Sequence, residues 1–233
     1  MDKTEDEAIV KPTPIKGLKM RRAVYIPFDP PSQIIKRFIK IRSLKEKNLD
    51  AGTLFLLRDQ VILCQVLGAP AACLSLEILV ASGIQEILML GFCGSLNSAF
   101  RINEVVSIPK ALSNEGTSKH YFPNRKVFYP SPRLKKKVEN TFQTLTLPFK
   151  SGSVVSTDAP FRETKSWLAA MQKKRIDLVD MEASAVFAIA EFCQIEAAAV
   201  LIVSDELFSG RWKHDFLRSE LEQKIREYFF PFI

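Results

Sequence analysis

Six consecutive residues, Ala198-Ala-Val-Leu-Ile-Val203, carry no polar side chain, and Ser204 and Asp205 follow at once. A strand of that composition has no face suited to water. Both faces have to be covered, which is the condition of central strands in a sheet with helices on either side. The segment Val61-Ile-Leu-Cys-Gln-Val-Leu67 has nearly the same character, and Ala23–Ile26 and Glu86–Leu90 read as two further strands. Apolar residues three and four apart predict helices over about 32–44, 69–82, 132–143, 162–174, 182–193 and 214–229. This alternation of strands and helices predicts an α/β fold.

The chain has 233 residues, enough for one well-buried core, and its 47% hydrophobic and 25% charged residues exclude disordered and fibrous classes. Residues 1–19 have little apolar periodicity and read as an extended or mobile arm, with one domain over 20–233. The arm is acidic and proline-bearing, unlike a signal peptide, and no apolar run reaches the length of about 20 residues that a spanning helix needs. The expectation is a protein that makes no membrane contact. Cys64, Cys73, Cys93 and Cys193 lie in apolar segments without metal-ligand spacing, which fits a reducing, cytoplasmic setting with no metal site. The net charge of +7 comes from scattered side chains, with clusters only at Lys135–Lys137 and Lys173–Arg175. Both read as solvated helix faces, and no aromatic-basic stripe suggests nucleic acid.

A sheet of this kind binds its ligand where loops leave the strand ends. Three such junctions carry small, acidic or hydroxylic residues. In Leu90-Gly-Phe-Cys-Gly-Ser95, Gly91 and Gly94 allow close backbone approaches, to a ligand or within a tight turn. In Leu178-Val-Asp-Met-Glu-Ala-Ser184, Met181 and Glu182 arrive at the start of an alanine-rich helix, where a carboxylate serves either a site or the helix dipole. In Val203-Ser-Asp-Glu-Leu207, Asp205 ends a buried strand, as a site residue or as the cap of a turn.

Taken in order, these junctions resemble the nucleoside phosphorylase family, which includes purine nucleoside phosphorylases, uridine phosphorylases and hydrolytic nucleosidases. The resemblance runs from about residue 20 to the C-terminus. Its most specific parts are VDMEASAVFAIAEF and AAAVLIVSDEL, supported by Gly68-Ala69-Pro70, LGFCGSL, Glu115-Gly-Thr-Ser118 and Val155–Thr164. It implies a single domain on a central mixed, twisted sheet, a homo-oligomer, and cleavage of the N-glycosidic bond of a purine or pyrimidine nucleoside. By the same resemblance, Glu182 accepts hydrogen bonds from the ribose hydroxyls, Met181 packs on the sugar, and Asp205 hydrogen-bonds or protonates the departing base. Gly91, Phe92, Gly94 and Ser204 belong to the substrate-binding set. Phe161 is a candidate wall for the base and Arg162 a candidate for its edge, against a packing phenyl and a solvent-facing guanidinium.

The sequence departs from the family at the phosphate site. Where the phosphorylases have Gly-Asp-Pro and an arginine two residues on, this chain has Phe28-Asp29-Pro30 followed by Pro31 and Ser32. Met89 and Phe92 stand where the purine-type enzymes place an arginine and a serine. No organic cofactor is expected, and inorganic phosphate is in question as co-substrate. Three readings follow: water replaces phosphate; Arg58, Arg101 or Lys119 supplies the charge; or the protein binds a nucleoside with little or no turnover.

Overall fold

Alternation along the first strand, β1 (Arg22–Ile26), sends Ala23 and Tyr25 into one apolar layer and Val24 and Ile26 into another. The computed structural model describes residues 8–28, 33–49, 51–214 and 219–233, and in it this two-sided burial recurs along every central strand. After α1 (Gln33–Arg42) come the antiparallel strands β2 (Lys45–Leu49) and β3 (Gly52–Leu56), then β4 (Val61–Cys64), α2 (Ala69–Ala81) and β5 (Glu86–Ser95). The middle of the chain supplies β6 (Val105–Ser107), β7 (Ala111–Asn114), α3 (Ser118–Tyr121), β8 (Val127–Phe128) and α4 (Pro132–Thr144). It ends with β9 (Lys150–Ser151), β10 (Val154–Thr157), α5 (Lys165–Lys173), β11 (Leu178–Asp180), α6 (Ala183–Phe192), β12 (Glu196–Glu206), β13 (Lys213–His214) and α7 (Ser219–Phe229).

The sheet is mixed, and its pivot is β5. Along one edge β5 pairs with β12 in parallel from Glu86↔Glu196 to Ser95↔Glu206. Its other edge is shared. β1 runs parallel to Glu86–Met89, whereas β11 runs antiparallel against Gly94 and Ser95 and leads on to β10, β7 and β8. Between Met89 and Gly94 this edge has no partner in register among the described residues. The sheet therefore forks there.

Helices α2 and α6 cover the face that carries Tyr25, Met89, Leu201 and Val203, while α1, α4 and α7 cover the face of Val24, Leu90, Val200 and Ile202. A smaller apolar cluster places Leu168 and Met171 of α5 against Val155 and Val179. The helices pay for their order by burial: a fully covered Leu, Ile, Val or Phe contributes about 1.5–3 kcal/mol. Part of the N-terminal segment is held in the same way. Ile15 and Leu18 pack on the α2/α6 layer, and the Ile15 N–H donates to Ser82 Oγ at 2.8 Å. Among the described residues no helix is long and apolar enough to cross a membrane.

Several boundaries differ from the sequence reading for local reasons. The strand expected over 61–67 stops at Cys64 because Gln65 turns to φ 65°. The helix expected from 162 begins at Lys165: Pro160–Arg162 form a 3-10 turn, and Thr164 Oγ1 caps the next helix by accepting the Trp167 N–H. The last helix starts at Ser219, Lys213 and His214 being strand, and residues 215–218 of the expected element lie outside the described residues. The largest correction is LGFCGSL, which up to Ser95 is the second half of β5 and not a loop, because β12 and β11 hold it in the ladder. Strand β12 likewise continues through Asp205 to Glu206.

At Gly94 this pairing leaves no room for a side chain. A Cβ there would meet Leu207 Cδ1 at 2.6 Å and Asp205 Oδ2 and Val179 Cγ1 at 3.0 Å. Gly94→Ala is expected to lower unfolding stability by about 1–3 kcal/mol in a denaturant titration. Gly116→Ala, whose added carbon meets nothing nearer than 3.5 Å, serves as the comparison and should shift it by less than about 0.5 kcal/mol.

Candidate active site

The fork in the sheet opens into a cavity of about 500 Å³. Its walls come from the ends of four strands: Phe28 beyond β1, Phe92–Gly94 on β5, Val179–Glu182 at the end of β11, and Ser204 and Asp205 on β12. Pro160, Phe161, Glu163, Leu207 and Trp212 close the rim.

Asp205 reaches this space through an irregularity in its strand. The register of β12 against β5 slips between Val203 and Asp205, so that Ser204 is an extra residue. Strict alternation would send Asp205 after Leu201 and Val203 into the apolar α2/α6 layer; a bulge re-aims the side chain. The carboxylate accepts a hydrogen bond from Ser204 Oγ at 2.8 Å on Oδ1 and one from the Trp212 indole N–H at 3.0 Å on Oδ2. Burial outweighs both bonds and holds its pKa above the usual carboxylate range.

Glu182 is 4% exposed and stands at the N-cap position of α6. Its Oε1 accepts the Gly68 N–H at 2.6 Å. Gly68 has φ 86°, a conformation that favours glycine, and this turn brings its N–H to the carboxylate. Asp180, also buried, accepts Ser156 Oγ at 2.6 Å and the Ala183 N–H at 2.8 Å, so it secures the start of the helix. Burial first, then the Asp180 charge, pushes the Glu182 carboxyl up. A polar chain continues behind it, because Ser156 Oγ accepts the Ser184 N–H and Ser184 Oγ donates to Glu115.

Met181 and Gly94 line the cavity with these acids. Phe161 contributes to the rim although it is 96% exposed; Arg162 and Gly91 are not among the lining residues. Phe92 stacks on Phe28 with ring centroids 4.0 Å apart. Met89 is buried in the α2/α6 layer. Arg101 pairs with Glu206, and neither it, Arg58 nor Lys119 lines the cavity. Asp29–Ser32 lie outside the described residues. Among the described residues no Lys, Arg or His faces the cavity, and no group of His, Cys, Asp or Glu is placed to hold a metal ion.

Sequence reading missed Glu163 and Trp212. Burial and the nearby Asp205 charge push the Glu163 carboxyl up to about 7. A Glu two residues past Phe161, in a polar stretch without periodicity, gives no signal that it turns inward.

A model of the phosphorylase superfamily matches residues 36–227. The guanosine phosphorylase of Halorubrum lacusprofundi is 27% identical over 176 residues, which cover 72% of this chain and 70% of that one. The DeoD-type purine nucleoside phosphorylase of Clostridium novyi is 26% identical over 136 residues, 58% of each chain, and that of Mycoplasma genitalium 29% identical over 153 residues, 64% and 63%. The chain thus spans less than two thirds of the length of these DeoD-type relatives. A crystal structure of purine nucleoside phosphorylase from Toxoplasma gondii in complex with immucillin-H shares the fold, with a TM-score of 0.75 at 17% identity, over 90% of this chain and 87% of that one.

The Glu163 environment has a measurable consequence. A carboxyl raised from 4.5 to about 7 in the folded state contributes stability that is fully present below about pH 4.5 and is lost as pH rises through about 7. Glu163→Gln removes that loss. Its Tm relative to the parent should climb between pH 4.5 and pH 7.5 and level off above; a constant difference across that range would contradict the assignment.

Proposed function

The chain belongs to the phosphorylase superfamily, and we propose that it cleaves the N-glycosidic bond of a purine nucleoside with water in place of phosphate as the acceptor. The observation that carries this reading is the charge of the cavity: four carboxyl groups, Glu163, Asp180, Glu182 and Asp205, and no cation among the described residues. The purine preference rests on the relatives, whose names are those of guanosine and purine nucleoside phosphorylases.

Such a cavity suits one partner of the reaction and not the other. As the base departs, the sugar acquires oxocarbenium-like positive charge, which a buried carboxylate stabilises more strongly than water does. A phosphate dianion would find four acids and no cation there among the described residues. Desolvating an ion costs several kcal/mol, more than the roughly 1.5–3 kcal/mol that one hydrogen bond to a charged group returns. The phenyl rings of Phe28 and Phe92 add no donor at the positions where the resemblance puts anion ligands.

In this mechanism Glu182 accepts the ribose hydroxyls and Met181 packs on the sugar. Asp205, whose pKa burial raises, acts in its protonated form and gives its proton to the base as the electron pair of the broken C–N bond moves onto the base nitrogen. Water adds to the anomeric carbon, and the proton it releases restores the protonated carboxyl.

The test is incubation with purine and pyrimidine nucleosides, with and without phosphate, following free base by chromatography. Purine release that ignores phosphate is expected. Release that requires phosphate would overturn the choice of acceptor, and saturable binding without release would make the protein a binding module. Asp205→Asn and Glu182→Gln are each expected to lower turnover at least about tenfold.

A further inference from the structure

Trp212 belongs to no family motif quoted above, yet its indole N–H is aimed at the carboxylate that the mechanism uses as acid. The residue lies just before β13, which pairs back on the end of β12 with His214 in register with Asp205. This short ribbon brings the side chain over the cavity. Trp212 is 63% exposed, so its position is not explained by core burial, and its ring lies beside His214 with centroids 4.6 Å apart.

An indole N–H can only donate. Fixed on Asp205 Oδ2, it disfavours a proton on that oxygen. The other oxygen, Oδ1, faces the Ser204 hydroxyl at 2.8 Å, and a hydroxyl can rotate from donor to acceptor when Oδ1 is protonated. The two contacts thus distinguish two oxygens that are equivalent in a free carboxyl group. We propose that Trp212 is a positioning residue for cleavage, its indole N–H confining the acid proton to Asp205 Oδ1 and so setting the direction in which the base is protonated. The inference rests on the reading of Asp205 as proton donor.

Other groups also act on Asp205. Glu163 shares the cavity, His214 approaches from β13, and the Cys93 thiol lies on the neighbouring strand β5. Glu163 and Asp205 interact, so an activity limb in the wild type belongs to the pair.

Trp212→Phe keeps a ring beside His214 and removes only the donor. The experiment measures kcat and KM against pH for the parent, Trp212→Phe and Asp205→Asn, and repeats the Trp212 comparison in a Glu163→Gln background. An acid is active while protonated, so activity falls as pH rises through its pKa. The indole bond favours the ionised form, and its loss raises that pKa. Trp212→Phe is therefore expected to lower kcat at the optimum about three- to tenfold, the size of one hydrogen bond, with KM little changed, and to move the alkaline limb to higher pH in both backgrounds. A limb that stays in place, or a change confined to KM, would overturn the inference alone. Full turnover in Asp205→Asn, or none in the parent, would remove the proton-donor reading and this inference with it.

Discussion

Strand β5 outlasts β1, and the geometry of the cavity follows from that mismatch in length. Over its first four residues β5 is held between two parallel neighbours; farther on, β12 still pairs with it while β1 has ended and β11 comes in from the opposite direction. Hydrogen bonding requires that a strand edge be paired, covered or solvated. The interval between Met89 and Gly94 is bounded by the chain segments leaving β1 and β11, and these deliver Phe28 on one side and Met181 and Glu182 on the other. The bulge at Ser204 then brings Asp205 in from β12. Acids distant in sequence meet because one strand has successive partners.

Burial that outweighs its compensation gives these acids their character. In most proteins a buried carboxylate is paired with a cation; here the compensation is partial and comes mainly from neutral donors, Gly68 N–H for Glu182 and Ser204 and Trp212 for Asp205, with His214 a smaller influence on Asp205. Desolvation therefore dominates and raises the pKa of both groups. In the proposed reaction, a positive charge developing on the sugar would favour the ionised form of Glu182. On the proposed reading, such a site favours an oxocarbenium-like sugar over a bound anion.

Much of this was legible in the sequence where burial is two-sided. The run Ala198–Val203 announces a central strand, and the abrupt arrival of Ser204 and Asp205 marks where it meets the cavity. Strand β2, Lys45–Leu49, could not be read, because its side chains are polar and largely exposed and only the ladder to β3 makes it a strand. The glycines of LGFCGSL looked like punctuation, whereas Gly94 is a strand residue squeezed between Leu207 and Val179. Glu163 and Trp212 reach the cavity by tertiary turns that leave no periodic trace.

The most direct measurement of the central claim is the identity of the first sugar product. Cleavage of a purine nucleoside in buffer containing phosphate should give free ribose, with no ribose 1-phosphate at any time. Ribose 1-phosphate as the first product would contradict a cavity that excludes the phosphate dianion.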